Sequence, residues 1–388
     1  MPGYELFGEE EKNAALELFN LNGGVLFAHG FDPLRKGVYK VREFENVISS
    51  KVKSNHCQVV SSGSAALLVA IKALGVQKGD EVITQSFTFV ATVEAIIEAG
   101  AIPVITEVDT SLNMDLKDLE RKITERTRLI LPVHMAGAPA DMDGIISISN
   151  KYNIPVLEDS AQCFGGSFKG KPTGTIGNAG IYSFDFAKNI TTGEGGAIVT
   201  NEIDVFNRSR ALHDHGHEYN PNFPRGKDTR SSPGFNYRMT EIQAAIGIAQ
   251  MNKLDLIISK QRENKNRVKE SIKDLGLEFR VIHDPVGDIG DTLVFFLPKK
   301  DIAERFVSML YEKGLGTKNL PDALQWHFAG TWDHLFKEFP HLQNCSQLWP
   351  ASRLLLERAI ALPINVKMSE TDINHVIDSV CEISSKLL

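Results

Sequence analysis

Pro155-Val156-Leu157-Glu158-Asp159 reads as a short buried strand ending in a carboxylate. Gly180-Ile181-Tyr182-Ser183-Phe184 reads as a second strand, leading into Asp185-Phe186-Ala187-Lys188 and the tight turn Gly193-Glu194-Gly195-Gly196. Working outward, further β-rich runs lie at residues 57–61, 81–84, 102–106, 129–133 and 197–200, so seven candidate strands fall within one stretch. Between them, residues 65–74 and 143–152 carry apolar side chains at helical spacing. Strands alternating with amphipathic helices predict an α/β fold with a mainly parallel, seven-stranded sheet covered by helices. Ligands of such sheets bind at the carboxyl ends of the strands, where Asp159 and Ser183 fall.

The chain has 388 residues, which suits a large domain plus a smaller one. We place the division at 1–256 and 257–388, because beyond about residue 257 charged helical segments flank short strands such as 292–297, an α+β texture. Residues 209–233 hold mixed charges, prolines and glycines with little periodicity and read as a long loop. A helix is expected over 241–256, where Ile242, Ala245, Ile246, Ile248 and Ala249 cluster on one face.

A composition of 42% hydrophobic and 23% charged residues is that of an ordinary globular enzyme, and the formal net charge of -7 argues against a nucleic-acid-binding surface. The four cysteines, Cys57, Cys163, Cys345 and Cys381, are widely spaced and suggest neither a zinc site nor a disulfide framework. The acidic opening, Met1 to Glu11, is unlike a signal peptide, and no apolar run reaches membrane-spanning length. A cytoplasmic protein without membrane or nucleic-acid partners is expected.

Lys188 is the candidate for chemistry. It lies between an apolar strand and a turn that exposes backbone, where desolvation favours the neutral amine needed to condense with an aldehyde. Asp159 could hold a pyridine nitrogen protonated by a charge-assisted hydrogen bond. Ser61-Ser62-Gly63-Ser64-Ala65-Ala66 sits where a strand gives way to a helix, so free N–H groups, the helix dipole and the Ser62 and Ser64 hydroxyls would grip a phosphate. Ser183 could add a further phosphate contact. Amine, carboxylate and phosphate cradle together describe a site for pyridoxal 5'-phosphate. In Ser86-Phe87-Thr88-Phe89 either phenylalanine could stack on the ring, since the two share strand parity. His213-Asp214-His215-Gly216-His217 offers three imidazoles, but Gly216 and the loop context favour a polar or substrate-contacting loop over a metal site.

With these residues in view, the chain resembles the pyridoxal phosphate-dependent sugar aminotransferases of the DegT/DnrJ/StrS family, a branch of the aspartate aminotransferase fold (type I). The likeness runs through SSGSAAL (61–67), SFTFVAT (86–92), GAIPVITEVD (100–109), PVHMAG (132–137), EDSAQ (158–162), YSFDFAKNITTGEGGAIVTN (182–201) and GFNYRMTEIQAAIGIAQ (234–250). It implies that Lys188 is the Schiff-base lysine and Asp159 the pyridinium partner. Gln162 would bond the phenolic oxygen, Gly63, Ser64 and Ser183 the phosphate, and Phe89 would stack on the ring. Asn236 would reach the phosphate of a neighbouring subunit, making the active unit a homodimer.

The resemblance further implies a ping-pong transamination with glutamate as donor and a keto sugar as acceptor. The opening MPGYELFG, residues 36–42 and the HDHGH run look closer to a subgroup acting on an oxidised octulosonate. Relatives that dehydrate sugars carry histidine at the lysine position; that reaction, and a non-catalytic sensor of the same fold, are the alternatives.

Overall fold

The computed structural model describes residues 3–388, so Met1 and Pro2 of the acidic opening lie outside it. In chain order the principal elements begin with helices α1 (Glu9–Leu21) and α2 (Lys40–Val52), then β1 (His56–Val60), α3 (Gly63–Ala73), β2 (Glu81–Gln85), α4 (Val90–Glu98) and β3 (Ile102–Thr106). They continue with β4 (Thr127–Leu131), α5 (Met142–Tyr152), β5 (Leu157–Asp159), β6 (Ala179–Ser183), β7 (Gly196–Thr200) and α6 (Ile203–Leu212). The C-terminal part holds α7 (Glu241–Met251), α8 (Leu254–Ile272), β8 (Glu278–Phe279), β9 (Thr292–Phe296), α9 (Lys300–Glu312), β10 (Ala359–Pro363) and α10 (Glu370–Leu387).

The seven expected strands form a four-stranded sheet, β1-β7-β6-β5, and a three-stranded sheet, β3-β2-β4. Parallel bridges Ile130–Val156 and Val133–Asp159 join the facing edges at β4 and β5. Pairing of β2 with β3 and β4, and of β5 with β6, is parallel. Strand β7 runs the other way, antiparallel to both β1 and β6. Its direction follows from the connection before it: residues 184–195 contain no helix to carry a crossover, so the chain turns back and Phe184 N–H bonds Gly195 O at 2.8 Å.

Period-two alternation assigns the two faces of β6. Ile181 joins the core beneath α3 and α4, whereas Tyr182 and Phe184 join the opposite core with α2, α7 and the start of α8. Helix α2 buries Val41, Phe44, Ile48 and Val52, an i, i+3, i+7, i+11 stripe. Helix α7 begins with a Thr240–Gln243 capping box.

Two expectations need correcting. The loop expected from residue 209 starts later, because residues 209–212 are the last turn of α6. The helix expected over 241–256 breaks at Asn252 and Lys253 into α7 and α8, although the apolar periodicity runs through the break. Strands β8, β9 and β10 form an antiparallel sheet with its own core against α9 and α10. Helix α8 serves both regions, with Leu254, Ile257 and Ile258 in the core behind β6 and Val268 and Ile272 in the C-terminal one. Among the described residues no helix is long and apolar enough to cross a membrane.

Phe44 is fully buried, its ring 5.3 Å from that of Phe184, and Gly247 of α7 packs so closely on it that a Cβ there would lie 2.4 Å from the ring. We expect Phe44→Ala to lose about 3–5 kcal/mol of stability, read as an earlier urea unfolding midpoint. An unchanged midpoint would refute this packing account.

Candidate active site

The carboxyl ends of β1, β2, β4, β5 and β6 converge on one cleft of about 400 Å³. Seven of the residues picked out in the sequence line it: Gly63, Ser64, Phe89, Asp159, Gln162, Ser183 and Lys188.

Its floor is set by β5, whose last two residues are both carboxylates and, by strand alternation, point to opposite faces. Glu158 is tied down by His134 Nε2 (3.0 Å) and the N–H groups of Gly174 (2.8 Å), Ile176 (2.6 Å) and Gly177 (2.7 Å). Asp159 faces the cleft and receives only Thr92 Oγ1 (2.9 Å) and Ala161 N–H (3.1 Å). It is 3% exposed, and burial pushes its carboxyl above the usual carboxylate range. The two hydrogen bonds, together with Lys188 and His134, pull it back down. Acceptor capacity therefore remains on a buried carboxylate that no cation bonds among the described residues.

Lys188 ends a turn that Asp185 organises, with Asp185 Oδ1 accepting Ala187 N–H at 2.9 Å and its carbonyl accepting Lys188 N–H at 3.0 Å. The side chain is half-buried, and its amine makes no hydrogen bond or ion pair among the described residues. Burial lowers its ammonium below the ordinary lysine range, opposed by Asp185 and Asp159.

The third part is the start of α3. Ser62 Oγ caps it by accepting Ala65 N–H at 3.1 Å, and the first-turn N–H groups of Gly63 and Ser64 have no partner within the helix. Ser183 stands beside them. A Cβ at Gly63 would lie 2.8 Å from Ser183 Cβ, and one at Gly196 would lie 2.4 Å from Ser62 O. Helix start and strand ends can meet this closely only with glycine at both positions.

Phe89 is 41% exposed and lines the cleft, whereas Phe87 is fully buried in the core; strand parity could not separate them. Gln162 Oε1 accepts Ala136 N–H at 3.1 Å. Asn236 does not line this cleft. It is exposed, in a segment running beside β1 through a bridge between Val60 and Arg238 and a 2.8 Å bond from Ser61 N–H to Tyr237 O.

The sequence assigns no role to Thr88, Thr92 or Asn319, and within residues 326–332, substrate-facing in some relatives of the family the chain resembles, it ranks no residue. Thr88 and Thr92 form a hydroxyl pair at 2.7 Å leading to Asp159. Asn319 and His327 enter the cleft from the C-terminal half, and Trp326 stacks near Phe89. Burial lowers His327 to about 4. Its Nδ1 donates to Ala323 O at 2.8 Å, leaving Nε2 as an acceptor. Only their long-range pairing with 86–89, such as Thr88 N–H to His327 O at 3.0 Å, brings these residues in.

The histidine run makes the internal contacts of a polar loop. His213 Nε2 meets Gln58 at 3.3 Å, His217 meets Asp228 at 3.2 Å, and fully buried Asp214 holds Arg225, Arg238 and Tyr219. No group of three or more metal-ligating side chains occurs among the described residues.

A free amine, a buried carboxylate with open acceptors and a helix start with open N–H groups share one cleft at the carboxyl edge of the sheet, and the α/β fold around them is that of pyridoxal phosphate-dependent aminotransferases. The chain belongs to the DegT/DnrJ/EryC1/StrS aminotransferase family, whose sequence profile matches residues 32–381. It is 31% identical over 358 residues to the spore coat polysaccharide biosynthesis protein SpsC of Bacillus subtilis (strain 168), covering 89% of each chain. Its fold is similar to that of an aminotransferase from Psychrobacter cryohalolentis (TM-score 0.87, 24% identity, 98% of each chain). It is also similar to Helicobacter pylori PseC, an aminotransferase involved in the biosynthesis of pseudoaminic acid (TM-score 0.82, 22% identity, 98% and 97% covered). The protein is therefore an aminotransferase, and the family's cofactor is pyridoxal phosphate. The donor set of the cleft fits that group: acceptor for a ring N–H, donors for a phosphate, amine for an aldehyde.

Thr92→Val removes a hydrogen bond that lowers the Asp159 pKa while nearly keeping the shape. With that bond gone Asp159 takes up its proton at higher pH, so the acid limb of cofactor retention, followed by visible absorbance, should move to higher pH. An acid limb that stays in place would contradict the role given to Thr92.

Proposed function

We propose that this aminotransferase carries an amino group from glutamate to a keto sugar, either an oxidised octulosonate or a nucleotide-linked keto-deoxy sugar, for cell-surface polysaccharide. We place the reaction in the cytoplasm, in a homodimer with shared sites. The observation that carries this reading is the unpaired Lys188 amine in the same cleft as the buried, cation-free Asp159. The sugar acceptor is supported by the roles of SpsC in spore coat polysaccharide biosynthesis and of PseC in pseudoaminic acid biosynthesis. We further read the chain as two domains, 1–256 and 257–388, with α8 spanning the joint.

Lys188 would anchor pyridoxal phosphate covalently, Asp159 would pair with its ring nitrogen, and Gln162 would meet its phenolic oxygen. Gly63, Ser64 and Ser183 would hold its phosphate and Phe89 would cover one ring face. When bound, the cofactor supplies an aldehyde that exchanges amino groups and a ring that accepts the electrons left as a C–H proton departs. Lys188, kept toward the neutral amine by burial, takes that proton and returns it at the neighbouring carbon. Ionised Asp159 holds positive charge in the cleft, which favours proton loss. Glutamate leaves as its 2-oxo acid, and the keto sugar, entering the same cleft, leaves as the amino sugar.

The dimer reading is supported by an apolar surface beside the segment that carries Asn236. Phe31, Leu34 and Phe235 are 57%, 59% and 63% exposed, and Arg238 lies over the ring of Phe27. Asn236 would complete the phosphate cradle of the second copy.

Lys188→Arg keeps the charge but cannot condense with an aldehyde, so we expect turnover to fall by at least about 10²–10⁴-fold. Undiminished glutamate-dependent amination of a keto-sugar panel by that variant would refute the assignment. For the shared site, co-refolding Lys188→Arg with Asn236→Asp chains should restore activity that neither variant shows alone. Absence of restoration in verified mixed dimers would contradict it.

A further inference from the structure

Behind Lys188 lies a second, small chamber of about 10 Å³, lined by Ala161, Gln162, Ala187, Lys188, Asp291 and Lys318, among others. Space of this size is about that of one water. Its outer wall is an ion pair: Lys318 Nζ lies 2.5 Å from Asp291 Oδ2, and both side chains are nearly fully buried, at 8% and 6% exposure. Nothing in the proposed reaction uses this pair.

Its anchoring is elaborate. Thr292 Oγ1 donates to Asp291 Oδ1 at 2.8 Å, and Ile364 N–H bonds the Asp291 carbonyl at 3.0 Å. The Lys318 N–H bonds Ala361 O of β10 at 2.8 Å. Gly137, at φ +75°, lets Asp291 approach so closely that a Cβ there would lie 2.6 Å from Asp291 Oδ1. The residue before it, Ala136, is the one that bonds Gln162. The next residue after Lys318, Asn319, lines the main cleft. A buried ion pair is costly to desolvate and weak evidence for stability, so one held this firmly behind a functional amine calls for another reason.

We propose that Lys318, clamped by Asp291, is a positioning residue: a fixed cation behind Lys188 that disfavours a second positive charge beside it and turns the Lys188 amine toward the cleft. This rests on the role given to Lys188 above. The clamp matters in two ways. It holds the Lys318 charge away from the cleft, where it would compete for Asp159, and it lets a buried cation persist at all. The charged and titratable groups facing Lys188 are Asp185, Asp159, Asp291 and Lys318, with Glu194 and His327 on the cleft wall. Burial is the main cause of the lowered Lys188 proton affinity; the carboxylates oppose it, and among these groups Lys318 acts in the same sense as burial.

The test is competitive acetylation of the cofactor-free enzyme across pH, read on the Lys188 peptide by mass spectrometry, because only neutral amine reacts. Lys318→Met should move the Lys188 midpoint to higher pH and lower its labelling at a fixed pH. Lys318→Met/Asp291→Asn, which leaves no unpaired buried carboxylate and guards against misfolding, should shift it in the same direction by less. Lys318→Arg, which keeps the charge, should leave it near the parent value. A Lys188 midpoint unmoved in both the single and double variants overturns the proposal. If cofactor absorbance in the parent is equally present in Lys188→Arg, the function assigned to Lys188 falls, and this role falls with it.

Discussion

The site depends on one constraint, a carboxylate buried at the end of a central strand with too few partners. Desolvating a charged Asp159 is unfavourable, and two hydrogen bonds offset only part of it, so the carboxyl is held above its usual range. One residue earlier, Glu158 has the same chemistry but four donors and no route to the cleft. Alternation along β5 thus separates a fully bonded carboxylate from one that keeps open acceptors facing the cleft.

The backbone does much of the remaining work. Because β7 runs antiparallel between β1 and β6, its first residue, Gly196, pairs with both Val60 and Ser183. Two strand ends and the start of α3 are thereby drawn into a space that only glycine allows. The 12-residue return that reverses the chain also carries Lys188, held by Asp185 at one end and by Phe184 against Phe44 beneath. Sheet topology and amine placement are consequences of the same connection.

Much of this was legible in the sequence because it is local. Strands β1 to β7 announce themselves as short apolar runs, Asp159 and Ser183 end two of them, and Lys188 lies five residues past the second. What was not legible depends on contacts between distant residues. Phe87 and Phe89 share parity, so the residues alone left both open where the resemblance chose Phe89, and the bridge from Phe87 to Phe328 draws Phe87 into the core. His327, Asn319 and Lys318 reach the site from more than a hundred residues away. Thr92 looks like any threonine in a helix until Asp159 is placed opposite. The break at Asn252 and Lys253 was missed because apolar periodicity carries across it. The last turn of α6, residues 209–212, was read as loop because a single turn of Ser209-Arg210-Ala211-Leu212 shows no helical period. The contacts of His213 with Gln58 and of His217 with Asp228, made around the Asp214 hub, join residues too far apart to be read from the histidine run itself.

The most direct measurement is to load the enzyme with pyridoxal phosphate, reduce it with borohydride and map the modified peptide by mass spectrometry. The account predicts a pyridoxyl group on Lys188 alone. Its attachment to any other lysine, or recovery of Lys188 unmodified from protein that retains the cofactor, would contradict it.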